Sequence, residues 1–346
     1  MAGAVKAVQH AVHGGPEVLE LVDLADPVPR PGEVVVEVRA AGVNRLDLLQ
    51  REGPPLLPGF RLPHIPGMDI AGEVVEVGDG VDPALVGRRV VVKAGVACGA
   101  CAACRAGDDR ACANPTTIGG NRPGGYAERC AVPGSHVFPI PEGVGDVEAA
   151  AVPTACVTAW RSLVGTARLR PGEQVVIHGA GSAVSVLAIQ IAKHLGARVI
   201  VTSRSPAKLA RALELGADVG IDETRPDAAE AVLEATGGGA DVVFNHVGPA
   251  VFELSLRSLR REGRLVVCGT TTGAEVRLRL PTVYHLGIEI LGAKVQSHAD
   301  FGPMLEECWR SGFRSVIDSV FELAAAADAH VRLESGEVFG KVVLVP

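Results

Sequence analysis

From about residue 172 onward the chain alternates short β-rich runs with helical stretches, and this alternation leaves few folds open. The runs are Val175–His178, Arg198–Thr202, Val219–Asp222, Asp241–Asn245 and Arg264–Cys268. Helical stretches lie between them at 183–195, 206–215, 227–236 and 250–260. Parallel neighbours need a crossover, and a helix of this length supplies one. The pattern predicts βαβ units in a doubly wound parallel sheet of Rossmann type. Gly196 and Gly216 follow two of the helices, at the left-handed position that ends a helix. Ile288–Val295 is a candidate sixth strand.

Residues 1 to about 95 follow a different rule. Short strands at Val34–Val38, Gly72–Val77 and Val90–Lys93 are separated by the turn signals Pro31-Gly32 and Gly78-Asp79-Gly80. That is the signature of an all-β barrel or sandwich. The tail from 296 to 346 predicts one amphipathic helix, about Pro303 to Ser311, and a last strand at Val338–Val345.

The totals narrow the partners. The chain has 346 residues, 47% hydrophobic and 21% charged, with a net charge of −7. No basic stripe exists to displace counterions from phosphates, which argues against nucleic acid. No apolar run reaches the roughly 18 residues of a membrane span. The first residues lack a basic region followed by an apolar core, and the expected location is the cytoplasm. The tract Arg257, Arg260, Arg261 and Arg264 reads as a solvated helix face. Cys130, Cys156, Cys268 and Cys308 sit in apolar surroundings and read as small core residues.

The other four cysteines, Cys98, Cys101, Cys104 and Cys112, read C-x-x-C-x-x-C-x7-C inside an Ala/Gly-rich loop. This spacing lets four thiolates converge on one tetrahedral Zn²⁺. Such a site is closed, with no open position for a substrate. It implies one structural zinc per chain.

A second site is written into the strand Val175–His178 and the turn behind it. Gly179-Ala180-Gly181-Ser182-Ala183-Val184-Ser185 leads into an apolar helix. Small residues let a backbone approach a pyrophosphate, and the helix N-terminus offers free N–H groups. If Gly179 and Gly181 are the first two glycines of a dinucleotide motif, the third position is Val184. The next strand ends at Ser203-Arg204-Ser205, with Lys208 four residues past Arg204. An NAD site places an acid near this point. Hydroxyls, a guanidinium and an ammonium suit a 2′-phosphate instead, and the expected cofactor is NADPH.

The β domain, the cysteine lobe and the Rossmann unit together resemble the medium-chain dehydrogenase/reductase superfamily, of zinc alcohol dehydrogenase and quinone oxidoreductase type. The resemblance is carried by Ala41-Gly42-Val43-Asn44, Pro66-Gly67-Met68-Asp69-Ile70-Ala71-Gly72, Gly124-Gly125-Tyr126-Ala127-Glu128, Val157-Thr158-Ala159-Trp160, Gly216-Ala217-Asp218 and Gly340-Lys341-Val342-Val343-Leu344. It implies a GroES-like substrate domain from 1–155 and 295–346, with its zinc lobe at 95–115, and a cofactor domain at 156–294. Alcohol dehydrogenase members hold a catalytic zinc by Cys, His and Cys. At the matching positions this chain has Asn44, Met68 and Thr154. An amide, a thioether and a hydroxyl do not suit zinc.

The resemblance therefore implies an NADPH-dependent reductase of enones or quinones, without catalytic zinc. Asn44, Asp47 and Thr154 are the candidate catalytic residues, with Asn44 donating its amide to a substrate carbonyl. Thr158, Gly181, Ser182, Ala183, Val184, Ser203, Arg204, Lys208, His246, Val247, Gly269, Thr270 and Thr271 are the candidate cofactor contacts. Arg45 matches a position that can reach the pyrophosphate. The alternatives are an alcohol or aldehyde dehydrogenase of the same fold and a non-catalytic NADPH-binding or interaction protein. The expected partners are a small-molecule substrate and a second copy of the chain. That copy would pair along Ile288–Leu291, whose bare apolar edge would otherwise invite association.

Overall fold

The structure is a computed structural model that describes residues 3–294 and 298–346. Val295, the end of the expected sixth strand and a boundary of the expected domains, lies outside the described residues. The chain forms two compact units. One comprises Met1–Thr154, Gln296–Arg310 and Arg314–Pro346; the other comprises Ala155–Val295 and Ser311–Phe313.

The first unit is built on a β-sheet whose central strand is Glu33–Gly42. Along the sheet the order is Ile317–Glu322, Lys341–Val345, Glu33–Gly42, Asp69–Val77, Arg89–Val92 and Val137–Pro139, with Arg129–Pro133 also paired to the central strand. Glu33–Gly42 runs antiparallel to Asp69–Val77 with two register shifts, which bend the sheet. Val34, Val36, Val38, Ile70, Val74 and Val90 point into one apolar core. The tail departs from the single helix expected there. It holds Phe301–Arg310 and also Ala326–Glu334, the second preceded by the strand Ile317–Glu322. The later helix packs Ala326 and Ala329 into the barrel core, and its short Ala-rich face gave too little apolar contrast to be legible.

The second unit is the doubly wound sheet. Its six parallel strands lie in the order Val219–Asp222, Arg198–Ser203, Gln174–His178, Ala240–Asn245, Leu259–Val267 and Glu289–Gly292. The order reverses between Gln174–His178 and Ala240–Asn245, and ligands bind such sheets beyond the carboxyl ends at this switch point. Ser182 and Ser205 cap the helices Ala183–His194 and Pro206–Glu214 by accepting the backbone N–H of Ser185 and Lys208. The expected arginine helix face is corrected. The helix stops at Arg257, and Leu259–Val267 is a strand. Arg260 pairs with Asp241, and Arg264 is buried, donating to Glu173 and to the Ala167 carbonyl at 2.5 Å each. Propensity failed because the partners of these arginines lie far away in sequence. No described helix is long and apolar enough to cross a membrane.

Several histidines are folded in neutral. Burial pushes His64 down to about 4, and His136, His178 and His330 down to about 3. Unfolded, each would take a proton near 6.5. Between these values the unfolded chain binds more protons, so stability rises with pH and is lost as pH falls below the unfolded value. The melting temperature should therefore drop steadily from pH 7.5 to pH 5. A flat profile by calorimetry would show that these rings charge freely in the native state.

Candidate active site and metal lobe

In the first unit, three segments remote in sequence meet at one carboxylate. Asp69 is fully buried. Its Oδ2 accepts from Lys341 Nζ at 2.6 Å and from Asn44 Nδ2 at 3.0 Å, and its Oδ1 accepts the Thr154 backbone N–H at 2.8 Å. Lys341 also donates to Asn44 Oδ1 at 2.7 Å. Ammonium and carboxylate are 3% and 0% exposed. Gly42 makes room for this arrangement: a Cβ there would lie 2.6 Å from Lys341 Cε and 2.7 Å from the Ala150 carbonyl oxygen.

Beside it runs a second buried chain. Asp47, in the first turn of the helix Arg45–Glu52, accepts the Asn44 N–H at 2.8 Å, the Gly67 N–H at 3.3 Å and the Tyr126 hydroxyl at 3.2 Å. Burial pushes this carboxyl up to about 7, against the pull of those backbone donors and of Lys341. Tyr126 Oη lies 3.1 Å from His330 Nε2, and His330 Nδ1 lies 3.1 Å from Arg51 Nη1. A guanidinium only donates, so His330 Nδ1 accepts and Nε2 carries the proton. The chain thus runs in one direction, Arg51 to His330 to Tyr126 to Asp47. Glu334 balances Arg51 at 2.6 Å.

The cysteine lobe hangs from a short pairing of Gly95–Val96 with Thr116–Thr117. One sulfur from each of Cys98, Cys101, Cys104 and Cys112 lies within 4.8 Å of all the others. Cys101 and Cys104 are 3.4 Å apart, and Cys98 and Cys104 are 3.9 Å apart. A tetrahedral zinc about 2.3 Å from each sulfur sets sulfurs roughly 3.8 Å apart, so donor type and spacing both fit. Backbone N–H groups of Cys98 and Cys104 already point at Cys112 Sγ and Cys101 Sγ.

In the second unit the candidate cofactor residues gather at the carboxyl ends of the strands. Ser182 begins the helix that carries Ala183 and Val184. Gly181 lies against Lys208, whose Cδ would stand 2.5 Å from an added Cβ. Ser203 accepts the Ser205 N–H at 3.2 Å, and Arg204 is exposed with no partner among the described residues. His246 does not project outward from the edge. Its Nε2 lies 2.8 Å from Ser185 Oγ, and its ring flanks Gly179, so it braces the turn from beneath. The turns after the fourth and fifth strands are joined, since Thr272 donates to the Val247 carbonyl at 3.0 Å and a Cβ on Gly269 would strike the His246 carbonyl. Thr270 and Thr271 are exposed, and Thr158 is half-buried in Pro153–Trp160.

Two family descriptions match the chain: the alcohol dehydrogenase GroES-like domain over residues 30–142 and the zinc-binding dehydrogenase over residues 183–310. An alcohol dehydrogenase of Geobacillus stearothermophilus is 33% identical, covering 94% of this chain and 95% of its own. A quinone oxidoreductase of Pseudomonas aeruginosa is also 33% identical, covering 99% of each. The chain belongs to the medium-chain dehydrogenase/reductase superfamily. The crystal structure of an NAD-dependent alcohol dehydrogenase superposes with a TM-score of 0.94 at 41% identity, covering 99% of each chain.

Within this superfamily the geometry corrects one expectation. Both hydrogens of the Asn44 amide are committed, to Asp69 and to the Gly42 carbonyl at 3.2 Å, and its oxygen accepts from Lys341. It has no hydrogen left for a substrate carbonyl. Asp47 caps the start of a helix and ties it to the Gly67 turn. The residues that sequence reasoning missed are Lys341, His330, Arg51 and Gly42. Lys341 and Gly42 stand inside motifs already singled out, yet nothing local said that they meet.

Removing one partner of a buried ion pair typically costs about 3–5 kcal/mol. Lys341→Met should therefore lower unfolding stability by about that amount in urea titration, and much more than Lys193→Met at the half-exposed Lys193–Asp218 pair. Cys101→Ser should lower zinc content and melting temperature together, because structural zinc binding is folding energy on the order of 10 kcal/mol. Normal melting in the zinc-free variant would show that the lobe braces nothing.

Proposed function

We propose that this chain is an NADPH-dependent reductase that directs hydride to an α,β-unsaturated carbonyl or a quinone without a catalytic zinc. The observation that carries this reading is the set Asn44, Met68 and Thr154, with Asn44 already saturated by Lys341, Asp69 and Gly42. None of the three is a good zinc ligand. A bound nicotinamide cofactor would supply the hydride. The chain's part is to hold and orient that cofactor and to stabilise an enolate or phenolate oxygen by hydrogen bonds, which asks less of the site than ionising a simple alcohol. Preference for NADPH is supported by Ser203, the guanidinium of Arg204, which has no partner among the described residues, and nearby Lys208.

The alcohol dehydrogenase relatives support a second reading, oxidation of an alcohol or reduction of an aldehyde on the same fold. Metal counting separates the two: one zinc per chain is expected, and two would favour the alternative. A homodimer is also proposed. Among the described residues the strand Glu289–Gly292 is paired on one side only, and Val276, Leu280, Tyr284 and Ile290 are exposed on it and on the segment before it. A second copy would cover that face.

The decisive assay is NADPH oxidation against quinones, enones and aldehydes, with zinc measured on the same sample. Turnover of aldehydes alone would overturn the reading. Arg204→Ala should weaken NADPH binding much more than NADH binding by fluorescence titration. Equal losses would refute the phosphate assignment.

A further inference from the structure

A buried polar chain crosses the Rossmann unit just beneath the carboxyl ends of its strands. Asn245 Nδ2 donates to Ser255 Oγ at 3.3 Å, and Ser255 Oγ lies 3.0 Å from His178 Nε2. His178 Nδ1 lies 2.8 Å from Thr202 Oγ1, which donates to Glu223 Oε2 at 2.6 Å. His178, Thr202 and Ser255 are fully buried, and Asn245 is 1% exposed. The order of donors follows from its end. A carboxylate only accepts, so Thr202 must give its single hydroxyl hydrogen to Glu223 and take the hydrogen of His178 Nδ1. Ser255 gives its own hydrogen to the Val251 carbonyl at 2.7 Å, so His178 Nε2 faces a hydroxyl already committed elsewhere. One end of the chain, Asn245, holds the N–H groups of Val247 and Gly248 at 3.0 and 2.8 Å. The other end fixes a carboxylate at the sheet edge.

Glu223 stands at a telling place. Its backbone N–H donates to the Ser203 carbonyl at 3.1 Å, so it is anchored to the residue just before Arg204. It is only half-buried, and Oε1 accepts from no described residue. Arg204 likewise has no partner among the described residues, and no ion pair among them joins the two. The edge therefore presents a fixed acceptor anchored to the strand end that leads into Arg204, a cationic donor with no partner among the described residues. The tether holds Oε2 through Thr202, and Oε1 is the acceptor that a ligand at this edge can use.

We infer that Glu223 is the second half of a cofactor selector: Arg204 draws the 2′-phosphate of NADPH, while Glu223 accepts from the ribose hydroxyls of NADH and disfavours the added phosphate charge. This rests on the NADPH reading above and goes further, because it makes NADH a competing cofactor. The ratio is set by two residues just past the ends of neighbouring strands, with Thr202 and His178 as positioning residues. An acid on the strand of Ser203 is not required.

Binding of NADPH and NADH by cofactor fluorescence and calorimetry tests this on the intact protein. Glu223→Gln should weaken NADH and tighten NADPH, moving the affinity ratio by roughly tenfold to a hundredfold, as expected for one charge-assisted hydrogen bond. Thr202→Val, which releases the tether, should shift the ratio the same way by less, with the melting temperature reporting any loss of fold. An unchanged ratio in Glu223→Gln overturns the proposal. If Arg204→Ala still moves the ratio in that case, the NADPH reading survives it. If Arg204→Ala leaves the ratio unchanged while Glu223→Gln shifts it, the phosphate assignment fails and the role of Glu223 stands.

Discussion

A buried ammonium and a buried carboxylate 2.6 Å apart hold the first unit together at its most consequential point. Neither charge would tolerate burial alone, and their attraction offsets the desolvation only because the remaining valences are also filled. Asn44 and the Thr154 N–H complete the set. The pair joins the last strand, the strand Asp69–Val77, the start of the helix Arg45–Glu52 and the end of the unit's long N-terminal segment. It also commits both hydrogens and the oxygen of the Asn44 amide within this corner.

The same logic, filled valences as a condition of burial, organises the rest. Asp47 is reached by three donors, and the direction of its chain is imposed by Arg51, which cannot accept. In the Rossmann unit the direction is imposed from the opposite end, by Glu223, which cannot donate. In both units histidines with two occupied nitrogens link groups that could not otherwise meet. Such networks specify one arrangement, because a single reversed hydroxyl would leave a buried group unsatisfied.

Much of the fold was legible in the residues. The alternation after residue 172 announced a parallel sheet, and the cysteine spacing announced the lobe, since both signals are local. The superfamily resemblance, carried by short motifs, is borne out by the matched domains and relatives. Two of the three misreadings share one cause, a partner remote in sequence. Arg260 and Arg264 were read as a helix face because their partners Asp241 and Glu173 lie 19 and 91 positions away. The helix Ala326–Glu334 was passed over because its buried face is mostly alanine. Asn44 was read as an open donor because nothing nearby shows an acceptor 25 positions on.

By itself, then, the order of residues determined most of the elements and the four-cysteine lobe, because those depend on spacing within a few turns or strands. It determined too that Asn44, Met68 and Thr154 are poor company for zinc, since ligand chemistry is a property of the side chain. Only the tertiary structure decided which of those groups remain free. Whether an amide, a carboxylate or an imidazole can still act depends on what occupies its lone pairs and hydrogens, and those occupants arrive from opposite ends of the chain.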